Sequence, residues 1–230
     1  MASKRFNNVY IKDNFSVVGP LEKDGLLKNY DLVMDDYYYG EKTFEQAEIK
    51  MQKVVVDNLL AHNKLTDSKI DALIGGDLVN QISISSYNAA KYRIPYLGVY
   101  SACASYAEEL IIGAALISGK LAKNIVCVTS SHNLNAERQF RYPVEYGAVK
   151  KHTTTFTTTA AIATLLTSDM TSIKLESATI GKVIDMGVKD TNNMGAVMAP
   201  AAADVLNTHL LEMKRNINYY DIILTGDLGR

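Results

Sequence analysis

Cys103 is the one side chain whose type and setting suggest covalent chemistry. It lies in Tyr100-Ser101-Ala102-Cys103-Ala104-Ser105, where an apolar stretch at 96–100 gives way to helical spacing from about Ala104. Backbone N–H groups and the helix dipole at such a junction favour negative charge, which stabilises a thiolate and makes it nucleophilic. Small flanking residues leave room for a substrate. A buried structural cysteine fits the same residues equally well. Cys127, between Val126 and Val128, reads as core.

A nucleophilic cysteine needs a base and oxyanion donors. Of the four histidines, His62 and His209 fall near helix surfaces and His152 in a polar stretch. His132, in Ser130-Ser131-His132-Asn133, directly follows an apolar strand, the end of an α/β sheet that ligands favour. Arg138 and Arg141 are three apart, so one helical turn would bring their guanidiniums to one face, suited to carboxylate or phosphate. Solvated arginines, or arginines paired with Glu137 or Glu145, fit the same spacing.

Several chemistries leave no trace. There is no CxxC, HExxH or EF-hand spacing, no Walker A loop and no Rossmann glycine pattern. No metal and no cofactor is therefore expected. Twenty-four basic and 25 acidic residues give a net charge of −1, so no nucleic-acid footprint is expected. Apolar residues make up 47%, enough for a folded core, yet no run approaches the ~18 residues of a membrane span. The N-terminus shows no signal-peptide core, and two cysteines make no disulfide framework, which fits a reducing compartment.

The elements that must hold these residues read as α/β. Residues 1–42 are polar and turn-rich, with Asp35-Asp36-Tyr37-Tyr38-Tyr39 either a binding edge or a loop. Thr43 and Gln46 have capping-box spacing, and Phe44, Ala47, Met51, Val54, Val55 and Leu59 make one helical face. Strands are expected at 72–75, 96–100 and 124–128. Helices are expected at 83–92 and from 104, the latter with Ala104, Ala107, Leu110, Ile111, Ala114 and Ala115 inward and Gly119 as its cap. That alternation predicts a parallel sheet. Residues 130–158 read as a long functional loop. Strands at 160–166 and 173–183, a helix at 198–213 with Pro200 in its first turn, and a strand at 221–225 complete the chain.

One stretch recurs. Asp71-Ala72-Leu73-Ile74-Gly75-Gly76-Asp77-Leu78 returns 150 residues later as Asp221-Ile222-Ile223-Leu224-Thr225-Gly226-Asp227-Leu228. A duplicated α/β unit is expected, its first copy within 1–167 and its second beginning at 168 and ending incomplete at 230.

A cysteine at a strand–helix junction in a duplicated α/β chain resembles the thiolase and ketoacyl-synthase superfamily. Within it, the Gly76-Asp77-Leu78 turn, the Cys103 segment, Thr129-Ser130-Ser131-His132-Asn133, Ala136-Glu137-Arg138-Gln139-Phe140-Arg141-Tyr142-Pro143 and Met198-Ala199-Pro200-Ala201-Ala202-Ala203-Asp204 resemble the stage V sporulation protein AD family. The likeness extends over nearly the whole chain. It implies a thiolase-like fold of αβαβα layers with the second half incomplete. It also implies a dipicolinic acid-binding subunit of the SpoVA apparatus. That apparatus carries dipicolinate, with calcium, into the developing spore and releases it at germination. Cys103, His132, Arg138 and Arg141 are then the ligand-binding candidates. Expected partners are dipicolinate or its calcium chelate, other SpoVA subunits and a second copy of the chain. The expected location is the forespore, at the inner spore membrane through those subunits. The alternative is an acyltransferase with Cys103 as nucleophile. Ser101, Ala104 and Ser105 depart from the family's Gly before and Ser-Thr after the cysteine. The base and oxyanion residues that a thiolase draws from its second half have no positions here to carry them.

Overall fold

The computed structural model describes residues 2–25, 27–140, 157–190, 193–226 and 228. They form two compact units, one within 7–150 and 156–175, the other within 1–6 and 176–230.

The larger unit is a mixed sheet with helices. Its strands are β2 (Tyr10–Val18), β3 (Leu32–Val33), β4 (Ala72–Gly76), β5 (Tyr96–Gly98), β6 (Asn124–Ser131), β7 (Ala160–Thr167) and β8 (Ile173–Lys174). The order is β3-β2-β7-β6-β4-β5, with β8 also on β2. β5, β4 and β6 run parallel, as the alternation predicts. β7 breaks that rule: it lies antiparallel between β6 and β2. The polar 1–42 region is not loop throughout. β2 pairs along its length with β7 and buries Phe15, Val17 and Val18.

Four helices belong to this unit: α1 (Phe44–His62), α2 (Ser83–Ala89), α3 (Ser105–Ser118) and α4 (Asn133–Phe140). α1 starts where Thr43 Oγ1 accepts the Gln46 N–H at 3.2 Å. Its buried face is Ala47, Glu48, Met51, Gln52, Val55, Val56, Leu59 and Leu60. Met51, Val55 and Leu59 join Leu73, Val126, Ala163 and Leu165 in the core. α3 is turned from the expected face: Ser105, Glu109, Gly113, Ala114 and Ile117 point inward, while Ala104, Ala107 and Ala115 are exposed. Gly113 sets this rotation, since a Cβ there would sit 2.8 Å from Leu166 Cδ1. Helix and sheet approach closely only along that seam. The left-handed residue past α3 is Lys120 (φ 60°), while Gly119 stays right-handed.

The smaller unit holds an antiparallel pair, β1 (Ser3–Arg5) with β9 (Ser177–Thr179), and the helix α5 (Met194–Met213). Glu212 accepts the Ala2 and Ser3 N–H groups. Arg215 grips Glu176 through two bonds of 2.7 and 2.9 Å. α5 begins four residues before the expected start, so Pro200 lies in its second turn. Among the described residues 221–226 form no strand, and Ile222 and Leu224 are exposed.

The recurrence is nonetheless repeated in the backbone. α1 and α5 begin 150 residues apart, each capped by a polar side chain, Thr43 or Asn193, that takes the N–H three residues on. Lys64 and Lys214 both turn left-handed, at φ 53° and 55°. The Leu65 and Arg215 N–H groups then reach back to Leu60 and Leu210, both at 2.9 Å. Short 3-10 turns follow at Asp67–Lys69 and Ile217–Tyr219, entered at φ/ψ −114°/165° and −99°/168°.

Candidate functional site

The parallel strands β5, β4 and β6 end at one edge of the sheet, and the candidate residues follow them. Neighbouring strands are about 4.8 Å apart, so the β5 and β6 ends stand about 10 Å apart across β4. Backbone crowding there requires glycine. A Cβ on Gly76 would lie 2.9 Å from the Val99 carbonyl oxygen, and one on Gly98 would collide with Ile82 Cδ1. Three residues at this edge carry a left-handed backbone that side chains resist: Gln81 at φ 60°, Ile82 at φ 45° and Ala102 at φ 46°. Such strain costs about 1–3 kcal/mol each and concentrates at functional sites.

Cys103 sits in the 3-10 turn Ala102–Ala104 that leads from β5 into α3. Ser105 organises the turn: its Oγ accepts the Ser101 N–H at 3.0 Å and donates to the Ala102 carbonyl at 2.8 Å. The thiol is exposed at the start of a fourteen-residue helix. Among the described residues no side chain hydrogen-bonds Cys103. Cys127 is fully buried in β6, its thiol pushed up by burial, as its core reading requires.

His132 joins β6 to α4 but has no exposed surface. Its Nε2 donates to the Tyr37 carbonyl at 2.8 Å, and its Nδ1 accepts the Leu134 N–H at 3.3 Å. That pairing fits the neutral Nε2–H ring, and burial holds the imidazole below its usual range. The ring stacks on Phe44 at 5.1 Å and meets Tyr37 edge-on at 5.8 Å. Asp36 closes the adjoining turn through the Tyr38 and Tyr39 N–H groups. His132 thus anchors the tyrosine turn to the sheet end, and neither ring nitrogen is free to serve as a base. His209, expected at a solvated surface, bridges Thr179 Oγ1 and Tyr220 Oη in the smaller unit.

Within the long stretch read as loop, 133–140 is helical. Arg138 there is exposed and paired with Glu45 of α1 at 2.7 Å. Arg141 and His152 lie outside the described residues. The candidates therefore share an edge without forming a catalytic constellation: Cys103 stands at one side of β4, His132 and Arg138 at the other.

Buried carboxyls lie around these strand ends, and the sequence reading does not single them out. Glu48 is fully buried, taking bonds from Ser130 Oγ (2.8 Å) and Asn135 Nδ2 (2.7 Å). Burial raises it to about 7. Asp77, also raised by burial, takes the Val79 and Ser85 N–H groups at 2.8 Å. Glu109 lies between α3 and Gly76, and burial pushes it up to about 9 against the Gly76 N–H and the Thr129 hydroxyl, which favour its charged form. The available signal was position: Glu48 and Gln52 interrupt the apolar stripe of α1, and Glu109 stands one turn before Gly113. No group of side chains among the described residues has a metal-binding arrangement. No described helix is long and apolar enough to cross a membrane.

The model of the stage V sporulation protein AD (SpoVAD) family matches residues 2–230. Stage V sporulation protein AD of Bacillus subtilis (strain 168) is 41% identical over 222 residues, which is 96% of this chain and 66% of that protein. Among solved structures, an OleA variant of Xanthomonas campestris bound with cerulenin gives a TM-score of 0.67 at 11% identity, over 98% of this chain and 77% of its own. The 3-oxoacyl-(acyl carrier protein) synthase III (FabH) of Xanthomonas oryzae gives 0.62 at 13%, over 99% and 80%. These last two identities show the fold alone, and it is the thiolase-like one that the Cys103 junction suggested.

Proposed function

We propose, because this chain belongs to the stage V sporulation protein AD family, that it acts as a ligand-binding subunit for dipicolinate in spore formation and germination, rather than as an acyltransferase. The observation that carries this reading is the separation of Cys103 from a base. The thiol is exposed at a helix start with no hydrogen-bonded partner among the described residues, and both His132 nitrogens are already committed. A cysteine without a positioned base gains little rate.

Dipicolinate is a flat ring with two carboxylates. The α3 N-terminus attracts anionic oxygen, the small residues around Cys103 admit a ring, and arginine forks pair with carboxylates. Arg138 reaches a ligand by exchanging its Glu45 partner. Arg141, three residues on, is the natural second fork. His132 serves from beneath, holding the Tyr37 turn against the sheet end. Calcium enters with the ligand as its chelate, and membrane attachment runs through other subunits of the apparatus. The repeat at 150 residues supports reading 1–167 and 168–230 as parts of two related halves.

Calorimetric titration of dipicolinate against the purified protein tests this. Saturable binding, weakened in Arg138→Ala and Arg141→Ala, is expected. Binding unchanged in both removes those residues from the site, and no binding at all overturns the reading. The acyltransferase alternative draws on the exposed thiol and the FabH-like fold. It predicts an acyl adduct on Cys103, visible by intact mass after incubation with acyl-CoA donors.

A further inference from the structure

We propose that Glu48 is a positioning residue, a proton-operated clasp between α1 and the β6–α4 junction that sets where His132 and Arg138 stand. The inference is independent of which ligand the site takes.

The geometry is that of a buried carboxylate held by neutral donors. Ser130, next to last in β6, donates to Glu48 Oε1, and Asn135, in the first turn of α4, donates to Oε2. One turn along α1, Gln52 Nε2 reaches Ser130 Oγ at 2.9 Å, Ser85 Oγ at 2.9 Å and the Gly76 carbonyl at 3.2 Å. Four elements therefore converge on two side chains of one helix.

A proton on Glu48 cannot be absorbed silently. While Asn135 keeps its Nδ2 toward Oε2, that oxygen remains an acceptor and the proton goes to Oε1; the other route turns the Asn135 amide, so that its Oδ1, buried and without a partner, accepts the proton on Oε2. On the first route Glu48 donates to Ser130 Oγ, and the Ser130 hydroxyl needs a new acceptor. A buried acceptor without a partner lies on the neighbouring side chain, Gln52 Oε1. Using it turns the Gln52 amide and releases Ser85 or Gly76. Protonation thus resets contacts on β6 and on α2 or β4.

The charged groups around Glu48 favour that proton. Asp77 beyond β4 and Glu45 on its own helix are both carboxyls. Arg138 on α4 is committed to Glu45, and His132 is neutral. Burial, the larger cause, places the change near neutrality, at about 7.

Two measurements test the clasp: the carboxyl carbon-13 shift of Glu48 by NMR, and amide exchange of residues 130–137 corrected for its intrinsic rate. Both run from about pH 5.5 to about pH 8.5 without ligand. Wild type should titrate Glu48 near neutrality, with protection of α4 falling at least about threefold on the acid side. Glu48→Gln, which mimics the protonated group, should hold the acid value throughout. Ser130→Ala removes a bond to the charged form and should move the midpoint upward, a shift that a merely structural role would not produce. If Glu48→Gln fails to fold, the Ser130→Ala midpoint decides. A Glu48 shift flat across the range, an exchange step surviving in Glu48→Gln, or a midpoint unmoved in Ser130→Ala overturns the proposal. Dipicolinate is absent from the assay, so its failure to bind would leave these results untouched.

Discussion

Glu109 allows a stability prediction whose size follows from its surroundings. It is fully buried on α3, and its carboxyl is pushed from an ordinary 4.5 up to about 9, by burial first and the Glu108 charge second, with the Gly76 N–H and the Thr129 hydroxyl opposing the shift. The folded state therefore holds this proton more tightly than the unfolded chain. The resulting stabilisation is complete below about 4.5 and is lost progressively as pH rises toward 9. From 4.5 to neutrality, at about 1.4 kcal/mol per pH unit, the loss comes to about 3 kcal/mol. Glu109→Gln keeps the size and removes the titration, while its buried amide costs about 1–3 kcal/mol at every pH. Urea unfolding of both proteins from about pH 5.5 to about pH 8 should show wild type losing stability steeply and the variant far less, so that the two curves converge or cross on the alkaline side. Parallel curves would refute the reasoning, because they would mean that Glu109 binds its proton no more tightly in the folded protein.

Other outcomes follow from single residues. Thr43→Ala and Asn193→Ala each remove the one side-chain cap of a helix, and each should cost about 1 kcal/mol in denaturant unfolding. An aromatic disulfide reagent should titrate one thiol, Cys103, in the folded protein, and Cys127 only after unfolding, since the latter is fully buried. Gly76→Ala drives a methyl against the Val99 carbonyl, a backbone atom that cannot swing aside, and should lower stability by about 2–3 kcal/mol in thermal or urea unfolding.

What the sequence made legible was whatever short-range rules determine. The Thr43 cap, the Met51-Val55-Leu59 stripe, the apolar strands at 72–75 and 124–128, and the Cys103 junction all follow from neighbours within a few turns. β2 escaped because its centre, Lys12-Asp13-Asn14, is polar. It is a strand because β7 lies beside it, with Asn14 opposite Thr164. The reverse holds at 221–226, where sequence like that of β4 forms no strand among the described residues. The face of α3 was misread because Gly113 and Glu109, a gap and a carboxyl, do not score as interior. At the site, the residue types at the strand ends were legible. What the residues do there was not: a histidine after a strand reads the same whether its nitrogens face a ligand or, as for His132, a carbonyl and an amide.

The pair α1 and α5 separates two questions that most helices confound. They share a polar cap, a left-handed exit and the bond that closes it. Yet eight residues of α1 are buried and only Gly195 and Met213 of α5. Start and stop are thus written in a handful of side chains and read out whatever surrounds them. Rigidity is not written there, because it comes from what lies against the flank. In this chain, where a helix ends is inherited, and how firmly it holds depends on its company.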